Sequence, residues 1–192
     1  MISEVDTAVP LARALVRGGI RIIEITLRSE AGLAAIERVA AEVPEMMTGA
    51  GTVRTGEQAA AVVAAGAEFI VLPGAPSQLV DAALDTGLPL LAGTSTPTEM
   101  MAMAARGLTS MKFFPAEASG GRPMLAAVHG PLPELRFCPT GGISQSNAAD
   151  YLALPNVSCV GASWLTPKDL VDQGDWAAIE ELARQASALG QH

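Results

Sequence analysis

Short apolar segments and helical patterns alternate along this chain without a break, and successive apolar segments start about 23 residues apart, the length of one strand, one helix and two short loops. The segments are "IRIIEITL" (Ile20 to Leu27), "MMTGAGTV" (Met46 to Val53), "FIVLPG" (Phe69 to Gly74), "LPLLAGTS" (Leu88 to Ser95), "SMKFFPA" (Ser110 to Ala116), "RFCPTGG" (Arg136 to Gly142) and "CVGASWL" (Cys159 to Leu165). Such alternation predicts parallel strands with helices outside them, either an open doubly wound sheet or a closed barrel. Helix ends are marked. Asp6 or Thr7 is expected to cap "AVPLARALVRGG", Thr55 to cap "GEQAAAVVAAG", and Thr96 with Pro97 to open "TEMMAMAARG"; Gly18, Gly66 and Gly107 end the three. The methionines of "MMAMAA" fall at helical spacing and are expected in the core.

Polarity within the strands separates the two folds. Central strands of an open sheet are apolar on both faces, whereas these carry Glu24, Arg28, Thr52, Lys112 and Thr140. Period-2 alternation places Ile23, Ile25 and Leu27 on one face and Glu24, Thr26 and Arg28 on the other. In a barrel the apolar face meets the helices and the polar one lines the lumen. The expectation is therefore one α/β domain over residues 1–192, a (β/α)8 TIM barrel. One count departs from it: eight helical segments accompany seven strands, with only Met1 and Ile2 left to represent a first strand. Either that strand precedes this start or the barrel is open there.

Twelve Lys and Arg and a formal net charge of −8 argue against nucleic acid or an anionic membrane as partner. No apolar run approaches the roughly 18 to 20 residues of a membrane span, and "MISEVDTAVP" has neither a basic n-region nor an apolar h-region, so the expected location is the cytoplasm. Cys138 and Cys159 lie in separate apolar segments and are expected to be buried, reduced thiols.

Two groups of residues carry chemistry. "PTGGIS" puts Gly141 and Gly142 after one late strand, and "VGASWLTPKDL" puts Gly161, Ala162 and Ser163 at the next, followed by Thr166-Pro167 opening a short extra helix. Backbone N–H groups of the last two strand-end loops and a helix N-terminus grip phosphate in barrels of this kind. The other group is Lys112 and Glu24. An amine in a partly apolar lumen is more easily held neutral and can attack a ketone to form a Schiff base. At a 2-keto acid that imine is an electron sink, so the C3–C4 bond can break to an enamine. One carboxylate near the amine can take the C4 hydroxyl proton and later reprotonate C3. Arg28 and Thr52 are placed to bind the substrate carboxylate. Without chemistry, Lys112 and Glu24 would be a lumen salt bridge.

"IIEITLRS", "GAGTV", "MKFFPAEASGG", "FCPTGGIS" and "VGASWL", in this order and spacing, closely resemble the 2-keto-3-deoxy-6-phosphogluconate (KDPG) aldolases, class I aldolases of the Entner–Doudoroff pathway that often also cleave 4-hydroxy-2-oxoglutarate (KHG). The resemblance runs from about Val9 to Leu189. It implies Lys112 as the Schiff-base lysine and Glu24 as general acid/base. It further implies that Arg28 and Thr52 bind the pyruvyl carboxylate, that Thr140 lies near the carbinolamine or substrate hydroxyls, and that Pro73 lines the site. Gly141, Gly142 and Ser163 would hold phosphate. It implies a small phosphorylated 2-keto acid as partner, no cofactor, no metal and a homotrimer. Two departures stand out. "GASW" replaces the common "GGSW" at Ala162, and the leading helix and first strand of the family are absent except for a stub.

Three other functions fit parts of the pattern. A metal-dependent aldolase would need a ligand cluster, but the only histidines, His129 and His192, are expected at the surface. A phosphosugar isomerase or non-catalytic phosphate-binding barrel would use the glycine loops without an imine. An oligomeric scaffold would have lost activity with its first strand. Lys168, beyond Pro167, is expected to be a solvated helix residue.

Overall fold

β-Branched residues fill four of the five positions of β1 (Ile22–Thr26), and their stiffness at χ1 favours the extended backbone. β2 (Met47–Gly51), β3 (Phe69–Val71), β4 (Leu90–Thr94), β5 (Ser110–Phe113) and β6 (Arg136–Pro139) follow in the computed structural model, which describes Ile2 and residues 4–189. All neighbours are parallel and the order is sequential, β1 to β6. The six strands curl into a half-barrel.

Between them run α1 (Ala8–Arg17), α2 (Ala31–Glu42), α3 (Gly56–Ala64), α4 (Ser77–Leu84), α5 (Pro97–Ala104) and α6 (Gly121–His129), with α7 (Ala148–Leu152), α8 (Lys168–Gln173) and α9 (Trp176–Ala188) after β6. Thr55 caps α3 by accepting from Gln58 N, and Thr96 and Glu99 form a reciprocal capping box behind Pro97. The expected cap of α1 is not made. A 3₁₀ turn, Val5–Thr7, runs straight into the helix, Thr7 Oγ1 donates back to the Glu4 carbonyl, and Asp6 pairs with Arg38 instead. Met100 and Met103 are buried as expected, but Met101, between them on the outer arc of α5, is 58% exposed.

Cross-strand register arranges the core in rows. Ile25, Ala50, Ile70 and Leu90 pair in turn, as do Ala92, Met111 and Phe137, and all are buried towards the helices. The opposite face carries Glu24 beside Gly49, and Gly93, Lys112 and Cys138 in one row. Period-2 alternation thus gives the two faces different work: one packs, the other is free for polar groups.

The segment expected to supply another strand, Cys159 to Leu165, makes no ladder. Two isolated bridges, Phe137↔Val157 and Thr140↔Gly161, join this part of the chain to the end of β6. These positions are three residues apart on the β6 side and four apart on the other, so one extra residue breaks the register as a bulge does. Among the described residues no ladder joins this segment to β1, and six strands are present rather than eight. Of the first-strand stub, Met1 lies outside the described residues. Ile2 belongs to no strand, yet it is buried and its carbonyl accepts from Ser29 Oγ at 2.7 Å.

The helices close where the strands do not. α9 lies on α1 so tightly that a Cβ at Gly18 would overlap Ala183, and Arg17 pairs with Glu180 at 2.7 Å beside that crossing. The first and last helices therefore brace each other on the outside of the half-barrel.

Candidate active site

Lys112 stands in β5 between Met111 and Phe113, both fully buried on the helix side, so alternation turns it to the inner face. Its Nζ donates to Glu24 Oε1 at 3.2 Å and Oε2 at 3.5 Å. Four strand spacings separate β1 from β5, about 19 Å in a flat sheet. Only the curl of the strands lets the pair meet. The ammonium also sits 5.3 Å from the centroid of the Phe114 ring, within cation–π range. The Lys112 side chain is 8% exposed whereas that of Glu24 is 27% exposed, so the amine is enclosed while the carboxylate still reaches water. That asymmetry suits a nucleophile that must be kept dry and a carboxylate that must exchange protons.

Two glycines near the pair leave no room for a side chain, Gly51 against Glu24 and Gly93 against the Pro73 backbone, and the sequence pattern marks neither. A Cβ at Gly51 would overlap Glu24 Oε1, and one at Gly93 would meet the Pro73 carbonyl at 2.5 Å. "GAGTV" holds the first of these, but a glycine's job as empty space shows only once its neighbour is known.

The remaining expected residues lie where these strands end. Thr52 follows β2 with φ of +57°, the one non-glycine residue in the left-handed region among those described. A β-branched side chain there is strained by about 1–3 kcal/mol. Arg28 follows β1; its Nε donates to Thr26 Oγ1 at 3.4 Å, and among the described residues it makes no ion pair. A guanidinium without a carboxylate partner is open to an anionic ligand. Pro73 follows β3 and packs over Gly93.

Thr140 begins the glycine-rich end. Its N–H donates to the Phe113 carbonyl at 2.9 Å, and Gly161, across the isolated bridge, has no room for a Cβ beside Thr140 Oγ1. Gly141 and Gly142 follow with φ of +98° and +80°, a pair of left-handed residues only glycine adopts cheaply. Asn147 Nδ2 holds the turn by donating to the Gly142 carbonyl at 3.1 Å. The Thr140↔Gly161 bridge sets this turn alongside Gly161, Ala162 and the exposed Ser163. Ala162 is not left-handed, so the alanine there costs no backbone strain. α8 begins beyond Pro167 without a side-chain cap, and Lys168 is exposed and paired with Asp172 on its own helix.

Three expectations are corrected here. Cys138 is half-buried and Cys159 exposed, and among the described residues no further strand covers this edge of the half-barrel. The two thiols are neighbours: contact with Cys159, and then burial, pushes the Cys138 thiol well above its ordinary value. His129, at the end of α6, is half-buried with its Nδ1 enclosed and unpartnered among the described residues, rather than at the surface; His192 lies outside the described residues. Among those described, no three His, Cys, Asp or Glu side chains converge to hold a metal ion, and no helix is long and apolar enough to cross a membrane.

A lysine–carboxylate pair on the inner face of curled parallel strands, with glycine turns at the strand ends, makes this the candidate active site of an α/β protein. The family model for KDPG and KHG aldolase matches residues 1–182, and the chain belongs to that family. It is 53% identical to the 2-dehydro-3-deoxy-phosphogluconate aldolase of Pseudoalteromonas atlantica over 98% of this chain and 87% of the relative. Its fold matches the KDPG aldolase of Legionella pneumophila, solved with pyruvate captured as a covalent carbinolamine, at a TM-score of 0.94 and 43% identity, covering 96% of this chain and 90% of that one. It also matches the Zymomonas mobilis aldolase solved with 3-phosphoglycerate, at 0.92 and 40%, covering 98% and 88%.

Proposed function

We propose that the protein cleaves KDPG to pyruvate and glyceraldehyde 3-phosphate through an imine on Lys112, and KHG to pyruvate and glyoxylate by the same steps. The observation that carries this reading is the enclosed Lys112 Nζ, 3.2 Å from the Glu24 carboxylate. The neutral amine adds to the C2 carbonyl, and loss of water gives the iminium. Glu24 takes the C4 hydroxyl proton, the C3–C4 electrons move into the iminium, and the aldehyde leaves. Glu24, now protonated, returns that proton to C3 of the enamine, and water hydrolyses the imine to release pyruvate.

Arg28 and Thr52 hold the substrate carboxylate in this scheme, Thr140 attends the carbinolamine hydroxyl, and Pro73 lines the wall. Gly141, Gly142, Ala162 and Ser163 offer N–H groups to the phosphate, and Gly161, whose own N–H donates to the Pro139 carbonyl at 2.8 Å, lets the backbone come close. The left-handed glycine pair, and a guanidinium that makes no ion pair among the described residues, support the two assignments. The scheme needs no metal. We further propose that the chain is a (β/α)-barrel subunit of a homotrimer, as the family resemblance implies, and that it acts in the cytoplasm.

The test is kcat/KM on KDPG, on its C4 epimer and on KHG, each with and without EDTA. Turnover of KDPG that persists in EDTA, with KHG slower, is expected. Activity abolished by EDTA and restored by Mg²⁺ or Mn²⁺ would establish a metal-dependent aldolase instead.

A further inference from the structure

The loop leaving β5 does not simply end the strand; it is tied down onto the glycine turn after β6. Ala116 N donates to the Thr140 carbonyl at 2.8 Å, and Glu117 N donates to the Gly141 carbonyl at 3.1 Å. The Glu117 stem then fills the space where Gly142 lacks a side chain: a Cβ there would lie 2.5 Å from Cγ and 2.7 Å from Cβ of Glu117. Tyr151 completes the arrangement from α7. Its ring is fully buried, and its hydroxyl donates to Glu117 Oε1. Gly121, where α6 begins, fits against both partners, 3.0 Å from the Tyr151 hydroxyl and 3.3 Å from Glu117 Oε1 for a notional Cβ.

We infer that Glu117 and Tyr151 are positioning residues that set the Gly141–Gly142 turn for the phosphate end of the substrate, an inference that rests on the phosphate reading of that turn. The physical problem they answer is plain. Two left-handed glycines in succession have many alternative conformations, and a carboxylate standing beside an anion site repels the anion unless it is satisfied and fixed. The buried phenol does both: it gives the carboxylate a donor and anchors it to α7, while the Glu117 stem backs the turn. Asn147, just ahead of α7, contributes another tie to the same turn. Neither Glu117 nor Tyr151 enters the imine chemistry, so their effect belongs to KM for a phosphorylated substrate and not to kcat.

The experiment is steady-state kinetics of Tyr151→Phe, Glu117→Ala and Glu117→Gln on KDPG and KHG, with pyruvate–borohydride trapping at Lys112 as a check on the rest of the site. Loss of the typical net worth of one hydrogen bond in the support of the turn predicts a KM for KDPG raised about five- to tenfold in Tyr151→Phe and Glu117→Ala. The expected kcat, KM for KHG and trapping yield stay near wild type. Glu117→Gln, whose amide oxygen still accepts from Tyr151, is expected to keep the KM of the wild type. Equal losses on both substrates, or a KM for KDPG unchanged in Tyr151→Phe while inorganic phosphate competes with KDPG in the wild type, would overturn the positioning role alone. A wild type that neither favours KDPG over KHG nor responds to inorganic phosphate would overturn the phosphate reading and this inference together.

Discussion

The two halves of the site are built in opposite ways. Lys112 and Glu24 stand on paired strands, with ladder partners on both sides of Lys112 and buried apolar residues behind it. The glycine end is built where pairing gives out: Thr140 and Gly161 meet in an isolated bridge, and Gly141 and Gly142 take backbone angles no strand uses. Covalent chemistry needs an atom fixed to within a fraction of an ångström, which side chains on regular strands provide. Anion binding needs N–H groups turned towards one point, which strand backbone cannot offer because the ladder already uses them. In the proposed phosphate reading, the break in the strands after β6 is what frees the N–H groups of Gly141, Gly142, Ala162 and Ser163.

If this division holds, substitutions on the strands should damage kcat and those at the turn should damage KM. The largest effect is expected from Glu24→Gln. It should still trap pyruvate, slowly, while turnover falls about 10² to 10⁴-fold, the worth of a positioned acid/base. A kcat near wild type would show that another group moves the proton.

Gly51→Ala comes next. The new Cβ overlaps Glu24 Oε1 and must push the carboxylate away from Nζ. A displacement of that order is worth about 10² in kcat, and steady-state assays should find it without a matching rise in KM. Gly142→Ala should act on the other half. Its φ of +80° and the crowding by Glu117 force the turn to move, so KM for KDPG should rise about tenfold or more, as for loss of a charge-assisted hydrogen bond. Unchanged KHG kinetics would mark the effect as local to the phosphate end.

The smallest effect concerns stability. Burial, and then the neighbouring Glu117 carboxylate, raise the value at which Tyr151 loses its proton. The unfolded phenol ionises near its ordinary value of about 10 while the folded one stays protonated, so Tyr151's contribution is complete below about pH 10 and is lost as pH rises beyond it. Urea midpoints should therefore fall less steeply above about pH 10 in Tyr151→Phe than in wild type. Parallel curves would mean the phenol ionises equally easily in both states.

How much of the molecule is legible in the chain follows the same division. A lysine inside "SMKFF" violates the apolar pattern around it, and alternation along "IIEIT" aims Glu24 at the same face, so local pattern alone exposes both partners. Their neighbours leave no such mark. Gly51 and Gly93 act by lacking a side chain, which a hydrophobic pattern does not record. Glu117 and Tyr151 lie 34 residues apart, and nothing local links an exposed-looking glutamate to the one tyrosine. "CVGASWL" has the composition of a strand, but strand formation is decided by partners, and here the register slips by one residue. The same missing neighbour leaves Cys159 exposed where its apolar setting predicts burial. The helix caps at Thr55 and Thr96 are readable because a cap is a local bond. α1 escapes because its N-terminus is fastened by distant Arg38 and a 3₁₀ turn.

Everything proposed for this site depends on Lys112 forming a covalent bond to a 2-keto acid. Incubation with pyruvate and borohydride, followed by peptide mass analysis, tests that bond directly. Irreversible inactivation is expected, with one reduced pyruvyl adduct on the peptide carrying Lys112 and none on Lys168. A protein that stays active and unmodified under those conditions, or that carries its adduct elsewhere, would contradict the account.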